Sequence, residues 1–444
     1  MLKAHSLRRL ATSVALTGTC ATLLSGSPAV GASRQSVPPA RAAARLAVRF
    51  GELIDRPGHR IHDATVVVEG ERVARVLGQG DVVPAGLEVI DLRRFTGIPG
   101  LIDAHTHMTY YWDESPGTRP LGQPARHPAV TVYLAQQNAR RTLEAGVTTV
   151  RDLGAQEYMD VAMRDLVNRG AMVGPRMFVS GYGLHVSRAA PRPGTSAPDP
   201  GLADGADAVM RVVRQQLGAG ADVVKMYGST GSYQDVTGFQ TFTADEMKAA
   251  VDVAHQAGRR IAIHSYGPAG ARDAVRAGTD SLEHAADMDD ETIAEMVRRH
   301  TTYVPTIDHN RFYAEAAPAF GFSATAVDEL KQFIERNLAS ATKAVRAGVT
   351  MAMGSDAVYT MFGQNTRELA WLVKAGLTPA QALAAATTNG AALVGHERDL
   401  GAVAPGYFAD LVAVDGDPDT DVRVVIDRVR WVMKGGTVVV DRTR

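Results

Sequence analysis

Eight short apolar runs recur along the middle of this 444-residue chain, at 98–104, 147–150, 176–180, 222–227, 261–264, 280–284, 302–306 and 350–355. Helix-like stretches separate them, among them 128–145, 206–217, 244–257, 290–299, 325–347 and 366–374. Ala-Gly pairs at 145–146, 257–258, 277–278 and 347–348 punctuate the helix ends. Strands alternating with helices predict an α/β fold, and eight of them favour a (β/α)8 TIM barrel. Alternation alone also admits an open, doubly wound sheet. The placement of ionisable residues decides between the two. Polar residues stand at the C-terminal ends of the runs, where a barrel gathers its active site.

Those residues are His105 and His107 on the first run, Lys225 on the fourth, His264 on the fifth, His284 on the sixth and Asp356 on the eighth. Alternate residues of a strand share a face, so the two imidazoles of His-x-His at 105–107 can take one cation. A single strand-end histidine is more often structural than metal-bound, but six suitable residues on the correct runs are not independent draws. Imidazoles and a carboxylate suit Zn²⁺ or a similar divalent ion. Lys225 lies in the apolar run Val-Val-Lys-Met-Tyr, where a lysine needs a partner or loses its proton. A neutral amine can react with carbon dioxide to give a carbamate with two oxygens for two metals; the alternative is a lysine that reaches solvent or pairs with a carboxylate. Tyr227 shares the face of Lys225, either to touch substrate or to pack the mouth. His185, just past the third run, is a candidate for substrate contact. His59, His62, His127, His255, His300, His309 and His396 fall on loops or helices and are expected to have no part in the metal site.

The two chain ends read differently. Residues 64–69 and 72–77 are β-rich runs joined by Gly70, and the C-terminus repeats the pattern at 410–414, 424–426, 429–433 and 437–440. Neither end has enough strands to bury a face alone. One small β-sandwich built from 45–96 and 400–444 is therefore expected, with the barrel over 97–399. Residues 1–32 have the layout of an export signal: Lys3, Arg8 and Arg9, a moderately apolar run over 10–24, and small residues before a cleavage point after Ala32. The run is too short and too rich in Thr, Ser and Gly to span a membrane. Residues 33–44 read as a linker. Removal of the signal takes the lone cysteine, Cys20, with it, leaving a secreted, periplasmic or wall-associated chain without a disulfide or thiolate. Lys and Arg number 47 against 48 Asp and Glu, so no global field attracts nucleic acid or an anionic membrane.

These residues resemble the amidohydrolase superfamily, in its imidazolonepropionase-like and Xaa-Pro dipeptidase (prolidase)-like branch. The matching segments are Pro-Gly-Leu-Ile-Asp-Ala-His-Thr-His at 99–107, Gly-Val-Thr-Thr-Val-Arg-Asp-Leu-Gly at 146–154 and Ile-Ala-Ile-His-Ser-Tyr-Gly at 261–267. Ser-Leu-Glu-His at 281–284, Gly-Ser-Asp at 354–356 and the stretch 400–411 extend the likeness over the whole mature chain. Lys225 implies the binuclear type found in prolidase-like and ochratoxin-hydrolysing relatives. By that resemblance His105, His107 and Asp356 hold one metal, His264 and His284 a second, and N6-carboxylated Lys225 bridges them. A water shared by two cations has a strongly lowered pKa and attacks an amide carbonyl. Asp356, His284, His185 and Tyr227 are the implied catalytic group, with Asp356 moving the proton from water to the leaving amine. The branch implies a small-molecule or short-peptide substrate ending in a carboxylate, a dipeptide or N-acyl amino acid. Arg188 and Arg192, in the Pro- and Gly-rich stretch 182–205, either clamp that carboxylate or stay solvated. A lactonase or other ester hydrolase is the alternative on the same site, and a non-catalytic binding protein would have shed ligands that this chain keeps. Such relatives often assemble, which leaves a homo-oligomer open.

Overall fold

A computed structural model of the chain describes residues 45–121, 123–187, 199–232 and 235–444. The signal and linker expected over 1–44, and Arg188 and Arg192, lie outside the described residues. The fold begins with an antiparallel meander, β1 (Arg45–Arg56), β2 (His59–Glu69) and β3 (Arg72–Leu77), after which β4 (Glu88–Pro99) returns parallel to β1. At Gly100 the chain leaves this sheet and enters β5 (Leu101–Thr106). A side chain on Gly100 would overlap the Thr148 hydroxyl and approach Asp410 Cβ to 2.8 Å, so only glycine lets the strand pass between them.

Two parallel sheets follow. One joins β5, β6 (Val147–Asp152) and β7 (Arg176–Val179); the other has the order β11-β10-β9-β8, from β8 (Val223–Tyr227), β9 (Arg260–Ser265), β10 (Ser281–His284) and β11 (Thr302–Val304). Their strands are short and, β7 apart, almost wholly buried, as strands covered on both faces must be. Helices Pro128–Glu144, Ala206–Gly218, Ala244–Gln256, Asp290–Arg299 and Ala324–Ala347 lie within a residue or two of the stretches read from periodicity. Thr243 and Glu246 form a reciprocal capping box at the start of one of them, and Gly348 at φ 83° closes the longest. Among the described residues, no helix is long and apolar enough to cross a membrane.

The eighth run, expected as a strand over 350–355, is not one. It touches its neighbours through two isolated bridges, Met351 with Tyr303 and Ala357 with Thr106. The reason is local. The Asp103 carboxylate accepts from the Ser355 amide (2.9 Å), the Ser355 hydroxyl (2.5 Å) and the Asn365 side chain (2.9 Å), so a side chain replaces the ladder partner that a strand would have used. The Asp356 backbone then turns to φ 52°, outside strand geometry.

The chain ends in β12 (Leu411–Val414), β13 (Val429–Lys434) and β14 (Thr437–Asp441). The strands expected to form a two-layer sandwich are joined in one seven-stranded sheet, β14-β13-β12-β4-β1-β2-β3. β4 is the shared member: its earlier part pairs with β1, and Thr96–Pro99 pair antiparallel with β12. The sheet bends until edge strand β3 meets the segment leading into β12, where Val73 N donates to Tyr407 O and Gly406 N to Val73 O, both at 2.9 Å. Phe50, Leu53, Val66, Leu92, Trp431 and Met433 fill the enclosed core.

Gly100→Ala is expected to lower stability by about 1–3 kcal/mol through overpacking. Gly218→Ala, in a helix position with open space around it, should be neutral or stabilising. Urea denaturation of both variants checks the contrast, and equal stabilities would refute the junction argument.

Candidate metal centre

The ends of β5 and β10 and the turn at 354–356 converge. His105, His107 and Asp356 present ligand atoms that all lie within 4.8 Å of one another, and all three side chains are buried. Asp356 Oδ1 is 3.1 Å from His107 Nε2 and 3.6 Å from His105 Nε2. His284 and His264 extend the cluster: the ring of His284 is 5.0 Å from His105 and 4.5 Å from His264, centroid to centroid.

Three of these imidazoles are oriented from behind. His105 Nδ1 donates to Glu283 Oε2 at 2.7 Å, and the other oxygen of Glu283 accepts from Arg151 (2.8 Å) and Ser281 (2.5 Å). Burial opposes the Glu283 charge, but Arg151 and the His105 hydrogen bond outweigh it and hold the carboxyl at about 2. An ionised carboxylate only accepts, so Nδ1 of His105 carries the proton and Nε2 offers its lone pair to the cluster. His107 Nδ1 donates to the Gly154 carbonyl at 3.2 Å, which likewise turns Nε2 inward. His284 Nδ1 bonds the Thr306 hydroxyl at 2.6 Å. Its backbone stands at φ 73°, and the Tyr303 hydroxyl reaches the His284 carbonyl at 2.8 Å to hold that turn.

The charge states match a cation site. Burial lowers the His105 pKa to about 4 and puts His264 and His284 well below the ordinary imidazole value. Burial also disfavours an ionised Asp356, but the facing imidazoles of His309, His105 and His107 hold it well below the carboxylate range. His107 alone is pushed upward, because Asp356 outweighs burial there. Either a proton or a cation must lie between His107 Nε2 and Asp356 Oδ1. Asp356 Oδ1 and His264 Nε2 are buried and make no hydrogen bond. Neutral imidazoles, an ionised carboxylate and orphaned inward atoms fit a divalent metal.

Lys225 is fully buried in β8, its Nζ 3.5 Å from His105 Nε2 and 5.3 Å from the centre of the Tyr227 ring. Burial pulls its pKa down to about 8. A side chain added at Gly183 would meet both Lys225 and Tyr227, so the two share one face of the strand, and the Tyr227 hydroxyl lies against Gly154 beside His107. His185 is engaged elsewhere: Nδ1 with the Gly183 carbonyl at 3.1 Å and Nε2 with Asp199 at 3.3 Å.

One expectation is corrected. His309, expected as a helix residue to have no part in the metal site, lies in it, with Nε2 3.2 Å from Asp356 Oδ2 and Nδ1 2.8 Å from the Asp356 carbonyl. It lies in the first turn of the helix Ile307–Glu315, five residues beyond the end of β11, so the strand-end rule, extended past Pro305, would have found it. Other histidines expected on loops and helices lie elsewhere: His59, which with His62 is in β2 rather than a loop, pairs with Asp55, His255 with Asp280 and His396 with Asp399.

Glu283→Gln should leave the buried Arg151 charge unpaired and cost about 3–5 kcal/mol in stability. It should also release the His105 ring and lower metal content. Urea denaturation with elemental analysis tests both, and a variant of unchanged stability and metal content would refute this role for Glu283.

The amidohydrolase family model matches residues 96–439. Ochratoxinase of Aspergillus niger is 30% identical over 418 residues, covering 87% of this chain and 85% of that protein. Imidazolonepropionase of Streptomyces coelicolor is 27% identical over 391 residues, covering 80% of this chain and 86% of that one. The crystal structure of a Xaa-Pro dipeptidase with methionine bound in its active site superposes with a TM-score of 0.81 at 30% identity, over 89% of this chain and 99% of that one. These relatives are the branch that the motifs resemble, and their family is metal-dependent. With its buried His-His-Asp cluster, this chain belongs to the amidohydrolase family, as a hydrolase of C–N bonds.

Proposed function

We propose that this protein is an exported, binuclear metal-dependent amidohydrolase that cleaves the amide bond of a small substrate ending in a carboxylate. The observation that carries the reading is the convergence of His105, His107 and Asp356 with His264, His284 and Lys225 grouped around them. His105, His107 and Asp356 would hold one cation and His264 and His284 a second, with the carbamate that the Lys225 amine would form with carbon dioxide as a further oxygen donor. Full burial, which favours the neutral amine over the opposing pull of Glu283 and Asp356, supports that modification of Lys225. The donor set suits Zn²⁺. A closed (β/α)8 barrel is supported by the bridges at the open edges of the two parallel sheets: Leu184 with Met226, Met351 with Tyr303, and Ala357 with Thr106. Export rests on the charge and apolar pattern of residues 1–32.

Bound divalent metal supplies Lewis acidity and acidifies water in its shell. The chain supplies the rest. Asp356 accepts the proton of the attacking water and returns it to the leaving amine nitrogen as the C–N bond breaks. The Tyr227 hydroxyl, beside His107, donates to the scissile carbonyl oxygen as it gains charge. His185, tethered between Gly183 and Asp199, contacts the distal part of the substrate. A carboxylate-bearing substrate is favoured by the dipeptidase relative with a bound amino acid.

Metal content measured alongside hydrolysis of Xaa-Pro dipeptides, N-acyl amino acids and aromatic lactones tests the reading. About two metals per chain with selective amide cleavage is expected; one metal, or lactone cleavage alone, would replace it with an ester hydrolase. Asp356→Asn should lower kcat by about 10²–10⁴-fold with an unchanged circular dichroism spectrum, and retention of most activity removes Asp356 as proton carrier. Lys225→Ala should lose metal and activity, with partial rescue by propionate in the vacated space. A full complement of two metals in that variant would show that Lys225 does not bridge.

A further inference from the structure

Two buried asparagines of this fold use both ends of their amides. Asn337 donates to the Pro305 carbonyl at 2.8 Å and accepts from the Tyr303 hydroxyl at 2.9 Å. Asn365 donates to Asp103 at 2.9 Å and accepts from the Gly363 amide at 3.0 Å. Asn310 is as deeply buried and uses neither end: Nδ2 and Oδ1 both lack a hydrogen bond. Among the described residues it alone leaves two buried side-chain atoms unpaired. An unpaired interior amide destabilises the free protein, so its place in the wall calls for a partner from outside the chain.

The orphaned amide borders the ligand cluster. Asn310 follows His309, whose Nδ1 donates to the Asp356 carbonyl at 2.8 Å. On its other side is the Tyr266 hydroxyl, near enough for the amide to act on its acidity but not aligned for a hydrogen bond. The Tyr266 ring stacks on both His264 (5.1 Å, 17° between planes) and Phe333 (4.4 Å, 19°), and lies 5.1 Å from the His284 ring. Its backbone amide donates to Ser229 Oγ at 2.8 Å, and a side chain at Gly231 would overlap the ring, so the loop after β8 packs against it. The helix that carries Asn310 is equally fixed. Its first amides, Ile307 N and Asp308 N, donate to the Glu368 carboxyl at 3.0 and 2.8 Å, and Asp308 accepts from Trp371 Nε1 at 2.9 Å. Asn310 thus stands rigidly between a residue that engages Asp356 and a ring stacked on His264.

We propose that Asn310, with the Tyr266 hydroxyl beside it, is a specificity-determining residue that binds a second amide group of the substrate. A carboxamide presents a donor and an acceptor side by side, and another amide is its complement. A carboxylate would satisfy Nδ2 and repel Oδ1; an ammonium would do the reverse. The placement of that amide rests on the reaction proposed above, in which the leaving amine carries the carboxylate. The second amide then belongs to the acyl part, and the preferred class is an N-acylated dipeptide rather than a dipeptide with a free amine. A substrate without the second amide leaves Asn310 unpaired in the complex and is disfavoured for that reason.

The test gives the Zn²⁺-loaded full chain three substrates of one shape: N-acetylglycylphenylalanine, 4-oxopentanoylphenylalanine and pentanoylphenylalanine. The second replaces the inner N–H of the first by CH2, and the third replaces the outer carbonyl as well. In the wild type kcat/KM should fall about 3–10-fold at each replacement. Asn310→Leu should bring the three substrates within about twofold of one another, and Tyr266→Phe, which keeps the stacked ring, should narrow their spread. Equal kcat/KM for the three in the wild type, or an unaltered spread in Asn310→Leu, overturns the proposal. If Asn310→Leu does not fold, Asn310→Ala takes its place under the same criteria. Calorimetry with the acyl acids alone separates the subsite from the reaction. N-acetylglycine should bind the wild type about 10–100-fold more tightly than pentanoate, and the variant should lose that difference. Wild type that cleaves none of the three but shows the difference refutes the proposed reaction and keeps the subsite, whereas equal affinities overturn the subsite even where amides are cleaved.

Discussion

Glu283 carries a charge in the middle of the parallel strands, with no access to water, and much of the site depends on how that charge is satisfied. Removing a carboxylate from water costs several kcal/mol, recovered only if every lone pair finds a donor. Here the donors come from three strands: Arg151 on β6, Ser281 on β10 and His105 on β5. Arg151 is satisfied in turn by the Ala104 carbonyl at 2.6 Å and the Ser281 hydroxyl at 2.8 Å. One ion pair therefore ties three strand ends together and fixes which nitrogen of His105 faces the cluster. The tautomer of a metal ligand is a consequence of core electrostatics, not of the ligand alone.

A second constraint acts where the eighth run meets β5. Asp103 replaces main-chain pairing with a carboxylate that holds Ser355 and Asn365, and its Oδ1 also accepts the His105 amide at 3.2 Å. Gly354 is needed because a side chain there would press on Val304 and His105. The three residues of Gly-Ser-Asp divide the work between them. The glycine allows close approach, the serine anchors, and the aspartate turns inward. The cost is backbone strain at Asp356, His284 and Thr306, all at positive φ and all at the site.

Much of this is legible in the sequence because periodicity and strand-end chemistry are local signals. Residues 290–299 read as a helix from spacing alone and form one with those bounds. His105, His107 and Asp356 stand out as strand-end residues, and the structure gathers them. What is not legible depends on pairing across distance. Nothing local joins Arg151 to Glu283, although both stand inside motifs of the family resemblance. The run 350–355 has strand composition, but Asp103, some 250 positions earlier, takes its hydrogen bonds. The terminal strands read as two layers because the sequence does not reveal that β4 pairs with both ends. His309 escapes because a helix residue carries no alternation signal, and only the turn at Thr306 aims it at Asp356.

The two halves of the ligand cluster are stiffened by different chains of aromatic rings, and this separates chemistry from specificity. His107 stacks on Tyr110 (4.9 Å), Tyr110 neighbours Tyr359 (6.0 Å), and Tyr359 leads through Phe320 and Tyr313 back to His309. On the other side His264 stacks on Tyr266 (5.1 Å), which stacks on Phe333 (4.4 Å). The imidazoles are aimed by strands and their buried hydrogen bonds, whereas Tyr110 and Tyr359 come from loops at the partly exposed mouth. Substitution of a mouth aromatic can therefore reshape the space beside His107 and Asp356 without disturbing Glu283, Asp103 or His309. Relatives that share the strand-end residues and differ in these loops would keep one hydrolytic centre while changing what reaches it.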